Sequence, residues 1–116
     1  MLGDISAVDD IYIVCGYTDM RKQIDGLYSI VKNQFHMDPE QRALYLFCGR
    51  RCDRIKALLY ENDGFVLLYK RLTDSEGRYC WPRNKNEVSI PQRSAYSRFN
   101  SFGGYLFTSR LVSTVS

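Results

Sequence analysis

The chain has 116 residues and a mass of 13.5 kDa, enough for one core and too little for two, and its 45% hydrophobic and 25% charged residues exclude disordered and fibrous classes. No apolar run approaches the roughly 18 residues of a membrane span, and the opening MLGDISAVDD lacks the basic and apolar parts of a secretion signal, so a cytoplasmic protein without membrane contact is expected. The net charge of +3 is unevenly spread: residues 1–41 hold three basic against seven acidic side chains, residues 42–85 ten against five, and residues 86–116 three against one. An acidic front beside a basic middle predicts a bipolar surface able to meet a polyanion, with a solvated sheet face as the alternative.

Ile11-Tyr12-Ile13-Val14-Cys15 is a β-branched and aromatic run stopped by Gly16, and it predicts a buried strand. Thr18 then offers an N-cap with Asp19 in the first turn. Met20, Ile24, Leu27, Val31 and Phe35 follow at steps of three and four, the stripe of an amphipathic helix that ends before Asp38-Pro39. Gly26 inside it costs about 1 kcal/mol relative to Ala, which points to a close approach at that position. Ala43–Cys48 is a second strand, ended by Gly49-Arg50-Arg51.

Arg54–Tyr60 and Phe65–Leu72 flank Glu61-Asn62-Asp63-Gly64, a strong hairpin signal. A two-residue or a four-residue loop alike puts even positions of the first strand on one face with odd positions of the second. One face then carries Ile55, Ala57, Leu59, Val66, Leu68 and Lys70, and is expected to pack on the helix. The other carries Arg54, Lys56, Leu58, Tyr60, Phe65, Leu67, Tyr69 and Arg71, mixing cations with apolar groups. A further antiparallel strand is expected at Arg78-Tyr79-Cys80-Trp81, ended by Pro82. The pattern is β-α-β-β-β, an α+β domain with one helix against a mainly antiparallel sheet. Residues 92–116 show no sustained period and are expected to be an irregular tail, with a short strand conceivable at Gly104–Thr108.

The four cysteines, Cys15, Cys48, Cys52 and Cys80, lack the spacing of a zinc knuckle, and His36 is the chain's single histidine. Core packing is the expectation for Cys15 and Cys48, which end apolar runs. A four-cysteine zinc site would require the strand ends to converge. Neither a metal nor a cofactor is expected.

Two stretches resemble a known family. Cys15-Gly16-Tyr17-Thr18-Asp19-Met20-Arg21-Lys22 with Ile24-Asp25-Gly26-Leu27, and Leu46-Phe47-Cys48-Gly49-Arg50-Arg51-Cys52-Asp53-Arg54-Ile55-Lys56, are similar to the signatures of the TnpB accessory proteins of insertion sequence 66 type elements. The likeness runs on through Gly64–Leu72 to Trp81-Pro82-Arg83, so a TnpB-like domain is assigned to residues 1–91 and a divergent tail to 92–116. The shared name of the RNA-guided nucleases does not apply, because this chain is far too short for one. The resemblance implies a helper of transposition encoded beside a transposase and a small companion protein, and not the catalyst. Family members usually end in a Gln/Trp/Leu-rich helix that residues 92–116 lack. This departure predicts a frame change near Gln92, which translating the other two frames would test.

The leading expectation is an accessory factor that binds element DNA. Arg50, Arg51, Arg54, Lys56, Lys70 and Arg71 are the candidate phosphate contacts, joined by Arg21, Lys22 and Tyr17 at a strand-to-helix junction. Tyr60, Phe65 and Tyr69 are candidates for stacking on an unpaired base or for an interface. Against this stands a structural use of Arg50, Arg51 and Arg54 in pairs with Asp19, Asp25 and Asp53. A second expectation is an adaptor that docks on the transposase or its small companion through Leu58, Phe65, Leu67 and Tyr69. The third and weakest is a metal-dependent nuclease, for which Asp19, Asp25, Asp53 and Glu61 are the only carboxylates to consider.

Overall fold

A computed structural model describes residues 8–73, 78, 79, 81–83 and the backbone of 112–115. In chain order it contains β1 (Asp10–Val14), α1 (Ile24–Ser29) with a π-helical extension Ile30–Gln34, β2 (Ala43–Cys48), β3 (Arg54–Glu61), β4 (Gly64–Arg71) and β5 (Val112–Val115). The strands form one sheet in the order β4-β3-β2-β1-β5. Its β1–β2 and β1–β5 pairs are parallel, while β2–β3 and β3–β4 are antiparallel. The sheet is therefore mixed, not mainly antiparallel. The helix supplies the long crossover that two parallel neighbours, β1 and β2, require.

β2 is buried at all six positions, as an unbroken apolar run between two strands and two covered faces must be. On one face Ile11, Ile13, Leu44, Leu46, Cys48, Ile55, Ala57 and Leu59 pack with Val8, Tyr79 and Trp81. On the other, Val14, Ala43, Tyr45, Phe47 and Leu58 pack with Leu27 and Val31, and Met20, Ile24, Phe35, Phe65 and Leu67 lie against them. Ile24, Leu27 and Val31 of the spaced stripe thus lie on the packed side of the helical segment, while Met20 precedes it and Phe35 caps its end.

Four expectations are corrected. The helix covers the Leu58/Phe65/Leu67 face of the hairpin, not the Ile55/Ala57/Leu59 face. The cation that made that face look unfit for a core, Lys56, is only 5% exposed, and its ammonium donates to the Lys22 carbonyl at 2.7 Å. Thr18 is not an N-cap, for the helix starts six residues later, after Gln23. The Thr18 backbone N–H is spent on the Cys48 carbonyl, and Asp19 folds its own turn by accepting from Arg21 N–H.

Arg78, Tyr79 and Trp81 lie outside any strand. Tyr79 N–H donates to the Cys52 carbonyl, Trp81 Nε1 to the Val14 carbonyl at 2.9 Å, and the Pro82 carbonyl accepts from Gly16. These bonds lay the segment across the strand ends instead of along β4. Finally, the tail is not wholly irregular, because Val112–Val115 pairs with β1; Val-Ser-Thr-Val is rich in the β-branched residues that strands favour. Cys80 and the strand expected at Gly104–Thr108 lie outside the described residues.

The hairpin pairs Tyr60 with Phe65 and Glu61 with Gly64, leaving Asn62-Asp63 as the loop. Gly26 is explained by Lys22, whose stem would lie 3.1 Å from a Cβ there. His36, at φ 55°, takes the left-handed conformation that ends a helix, three residues before Pro39.

Candidate nucleic-acid interface

The strand directions gather the candidate cations. β1, β2 and β4 finish at the same end of the sheet where β3 begins. The junction Tyr17–Lys22, the loop Gly49–Asp53, Arg54 and Arg71 therefore share that end. Tyr60 and Phe65 sit at the other, about 20 Å from Arg54 along β3 at ~3.3 Å per residue. Those two rings pack on each other at 5.1 Å, and Phe65 also meets Tyr28 edge-on at 5.4 Å. Phe65 packs against the core beneath the helix, while Tyr60 is half-buried and donates to the Asn62 carbonyl in the turn.

A cleft of about 220 Å³ brings the two signature stretches together. Thr18, Asp19 and Met20 form one wall, and Gly49, Arg50, Arg51, Asp53 and Arg54 the other. The walls are joined by the Thr18–Cys48 backbone bond and pressed close at Gly49, where any Cβ would come within 2.6 Å of Met20 Cγ. Gly49 is the residue that lets the junction lie on the loop. Cys52, at φ 58°, turns the loop back so that β3 can start.

The charges in and around this cleft are unevenly engaged. Asp19 accepts from Arg21 Nε at 3.0 Å and from Nη2 at 2.8 Å. These bonds and the Arg21 backbone N–H hold its carboxyl well below the usual carboxylate range. Arg54 Nε lies 3.8 Å from Asp53 Oδ1, an ion pair without a hydrogen bond. Arg50 and Arg51 are exposed, and among the described residues no hydrogen bond or ion pair holds either guanidinium. Arg71 stands opposite Arg54 across the hairpin. Like charges facing each other cost stability, so this pair gains from an anion. Lys70 is half-buried on the opposite face, where Ile55 is its cross-strand partner. Lys56 lies over the Tyr69 ring at 5.6 Å, and burial pushes its pKa down. Its role is to fasten the junction.

Tyr17 and Tyr69 are the large hydrophobic side chains left exposed among the described residues, at 46% and 49%. Tyr69 belongs to the edge strand β4. Tyr17 lies beside Cys52, the main reason its hydroxyl pKa is raised. Cys48 is fully buried, and burial, then the neighbouring Cys52, pushes its thiol far above the ordinary range, which suits packing and not nucleophilic attack.

Of the four candidate carboxylates, Asp19 and Asp53 share the cleft, each beside an arginine. Asp25 lies in the first helical turn, and Glu61 is at the far end of β3. Among the described residues no three His, Cys, Asp or Glu side chains come together as a ligand set. No described helix is long and apolar enough to cross a membrane.

Sequence reasoning missed a second cavity. About 250 Å³ in volume, it lies on the helix side of the junction and is lined by Val14, Cys15, Tyr17, Thr18, Asp19, Lys22, Ile30, Gln34 and Phe35. The π-helical turn that presents Gln34 and Phe35 has no signature in residue spacing. Only Tyr17 and Lys22, candidates at the strand-to-helix junction, pointed to this place.

Comparison with known proteins agrees with this reading of the signatures. The uncharacterized protein y4jC of Sinorhizobium fredii (strain NBRC 101917 / NGR234) is 28% identical over 68 residues, covering 59% of this chain and 56% of its own. The uncharacterized protein y4hO of the same strain is 32% identical over 72 residues, 62% of this chain and 61% of its own. The chain thus spans less than two thirds of the length of these relatives. No solved structure matches it significantly. A family model described as IS66 Orf2-like protein matches residues 9–99, which include both walls of the arginine cleft, and the chain belongs to that family.

Proposed function

We propose that the chain is a non-catalytic accessory factor of insertion-sequence transposition that holds element DNA through the cationic end of its sheet. Membership of the IS66 Orf2-like family implies an accessory role in transposition and association with its machinery. The observation that carries the DNA reading is the exposure of Arg50 and Arg51 on the rim of a cleft whose carboxylates are already beside arginines. Cations arranged in this way neutralise backbone phosphates without reading bases. Arg54, Arg71, Lys22 and Arg21 extend the patch, while Lys56 fastens the junction that carries Arg21 and Lys22. The role is assigned to residues 1–91, with 92–116 as a divergent tail, and the site of action is the cytoplasm.

The test is a titration of end-labelled element DNA with the full chain at several salt concentrations. Affinity is expected to fall steeply as salt rises, because each phosphate contact releases about one counterion. Absence of binding at low salt removes the proposal. A second reading, an adaptor for the element's transposase or its small companion, is favoured by the exposed Tyr69 on edge strand β4. Co-purification that survives nuclease treatment and is lost in Tyr69→Ala would select it.

A further inference from the structure

The arginine cleft and the 250 Å³ cavity share a wall, Thr18 and Asp19, and differ in chemistry. The first is lined by three arginines, Arg50, Arg51 and Arg54. The second is lined by two aromatic residues, Tyr17 and Phe35, two aliphatic ones, Val14 and Ile30, and by Cys15, Gln34 and Lys22. Its volume equals that of about eight waters at bulk density, room for one planar heterocycle with solvent around it. Tyr17, one of its lining residues, is 46% exposed. A half-exposed aromatic ring beside cations is the arrangement on which bases stack in single-stranded nucleic-acid sites. The Gln34 amide offers both donors and an acceptor, which suits the edge of a base and not a phosphate. Asp19, whose charge would otherwise repel the chain of phosphates passing over it, is held by Arg21.

We infer that this cavity takes one unpaired nucleobase at a DNA end or junction, with the adjoining phosphates in the arginine cleft. The inference rests on the DNA-binding reading above and narrows it. The ligand is then a duplex with an extruded or overhanging nucleotide, not a continuous duplex. Tyr17 and Phe35 are the stacking partners, and Gln34 meets the base edge. Lys22, its stem lying against Gly26, holds a charge at the rim.

The experiment measures fluorescence anisotropy of the full chain with three probes on one duplex sequence: blunt, bearing a three-thymidine 3′ overhang, and bearing the same overhang with abasic sugars. The overhang is expected to bind about fivefold to a hundredfold more tightly than the blunt duplex, the range of one stacked base. The abasic probe should bind like the blunt one. Tyr17→Ala should abolish the preference between overhang and blunt probes, while Asn62→Ala, exposed in the hairpin turn, should leave that preference and the blunt-duplex affinity in place. Gln34→Ala, at an exposed position, should reduce the preference and gives the same readout if Tyr17→Ala does not fold. Equal binding of overhang and blunt probes, or a preference that survives both substitutions, overturns the base site and leaves DNA binding standing. No binding of any probe at low salt overturns both.

Discussion

The two ends of the sheet are built from similar residues and do different work. The end where β1, β2 and β4 finish carries Tyr17, Arg50, Arg51, Arg54 and Arg71, with two cavities between loops. The other end carries Tyr60, Phe65 and the Asn62-Asp63 turn, with the two rings packed on each other and Phe65 also on Tyr28. In sequence the hairpin interleaves cations and aromatics, inviting a single surface that uses both. Strand geometry separates them: what lies at one tip of an eight-residue strand cannot serve the other. At the turn end Phe65 is spent on the core and holds Tyr60 against it. At the loop end Trp81 and Tyr79 are buried, while Tyr17 and Tyr69 remain exposed beside the exposed Arg50, Arg51 and Arg71.

The largest effect that would break this contrast is on stability. Trp81 is buried and its indole N–H holds the Val14 carbonyl, so it fastens the loop end. Trp81→Ala is expected to cost about 3–5 kcal/mol in chemical denaturation. Tyr60→Ala, at the half-buried turn end, should cost about 1 kcal/mol. Equal costs would mean that the two ends are fastened alike. A smaller difference separates two glycines. Gly49→Ala forces Met20 aside and is expected to cost about 1–3 kcal/mol. Gly64→Ala points into open space without a positive φ, and should be neutral or stabilising by up to about 1 kcal/mol.

Function should divide the same way. Arg50→Ala with Arg51→Ala is expected to lower DNA affinity more than about tenfold at 0.1 M salt and to reduce the salt slope by about 2. The thermal midpoint should hardly move, since both side chains are exposed. Asn62→Ala, exposed in the turn, should leave affinity unchanged. A loss as large from the turn substitution would show that the anion surface runs along the hairpin and not across its open end.

How much of this was legible before any coordinates depends on which force acted. The strands β1 to β4, the hairpin and the residues sharing each of its faces follow from apolar spacing. The register, in contrast, was open between Asn62 and Tyr60 opposite Phe65, and Met20 of the expected stripe precedes the helix. The face covered by the helix was not legible. Lys56 looks like a solvent-side cation until the Lys22 carbonyl, 34 residues away in sequence, supplies its partner. Thr18 and Asp19 look like a helix start because capping chemistry is local. Their actual bonds, to Cys48 and within the Asp19–Arg21 turn, depend on a strand that arrives later. Arg78–Trp81 has strand composition, yet its hydrogen bonds go to β1 and the 49–54 loop. The cleft itself was foreshadowed only as two separate signatures.

The smallest effect tests whether Asp19 hinders or assists at the loop end. Its carboxyl is held low chiefly by Arg21, so the sign is that of a depressed acid. The pair's contribution is present above the ordinary value of 3.8 and is lost as pH falls through the lower folded value. Arg21 is 92% exposed, so little global stability is at stake. The consequence is local: at neutral pH the cleft keeps a carboxylate whose charge is masked. Arg21→Ala would remove a cation and also unmask Asp19, so affinity for DNA should fall further than one lost phosphate contact predicts. Adding Asp19→Asn retains an acceptor for the turn and removes the charge, so it should restore part of that loss. In carbon-detected titration, the Asp19 carboxyl of Arg21→Ala should move back toward 3.8. If the double substitution binds DNA no better than Arg21→Ala alone, Asp19 does not face the phosphates, and the path of DNA across the cleft must be drawn along the Arg50–Arg51 rim instead.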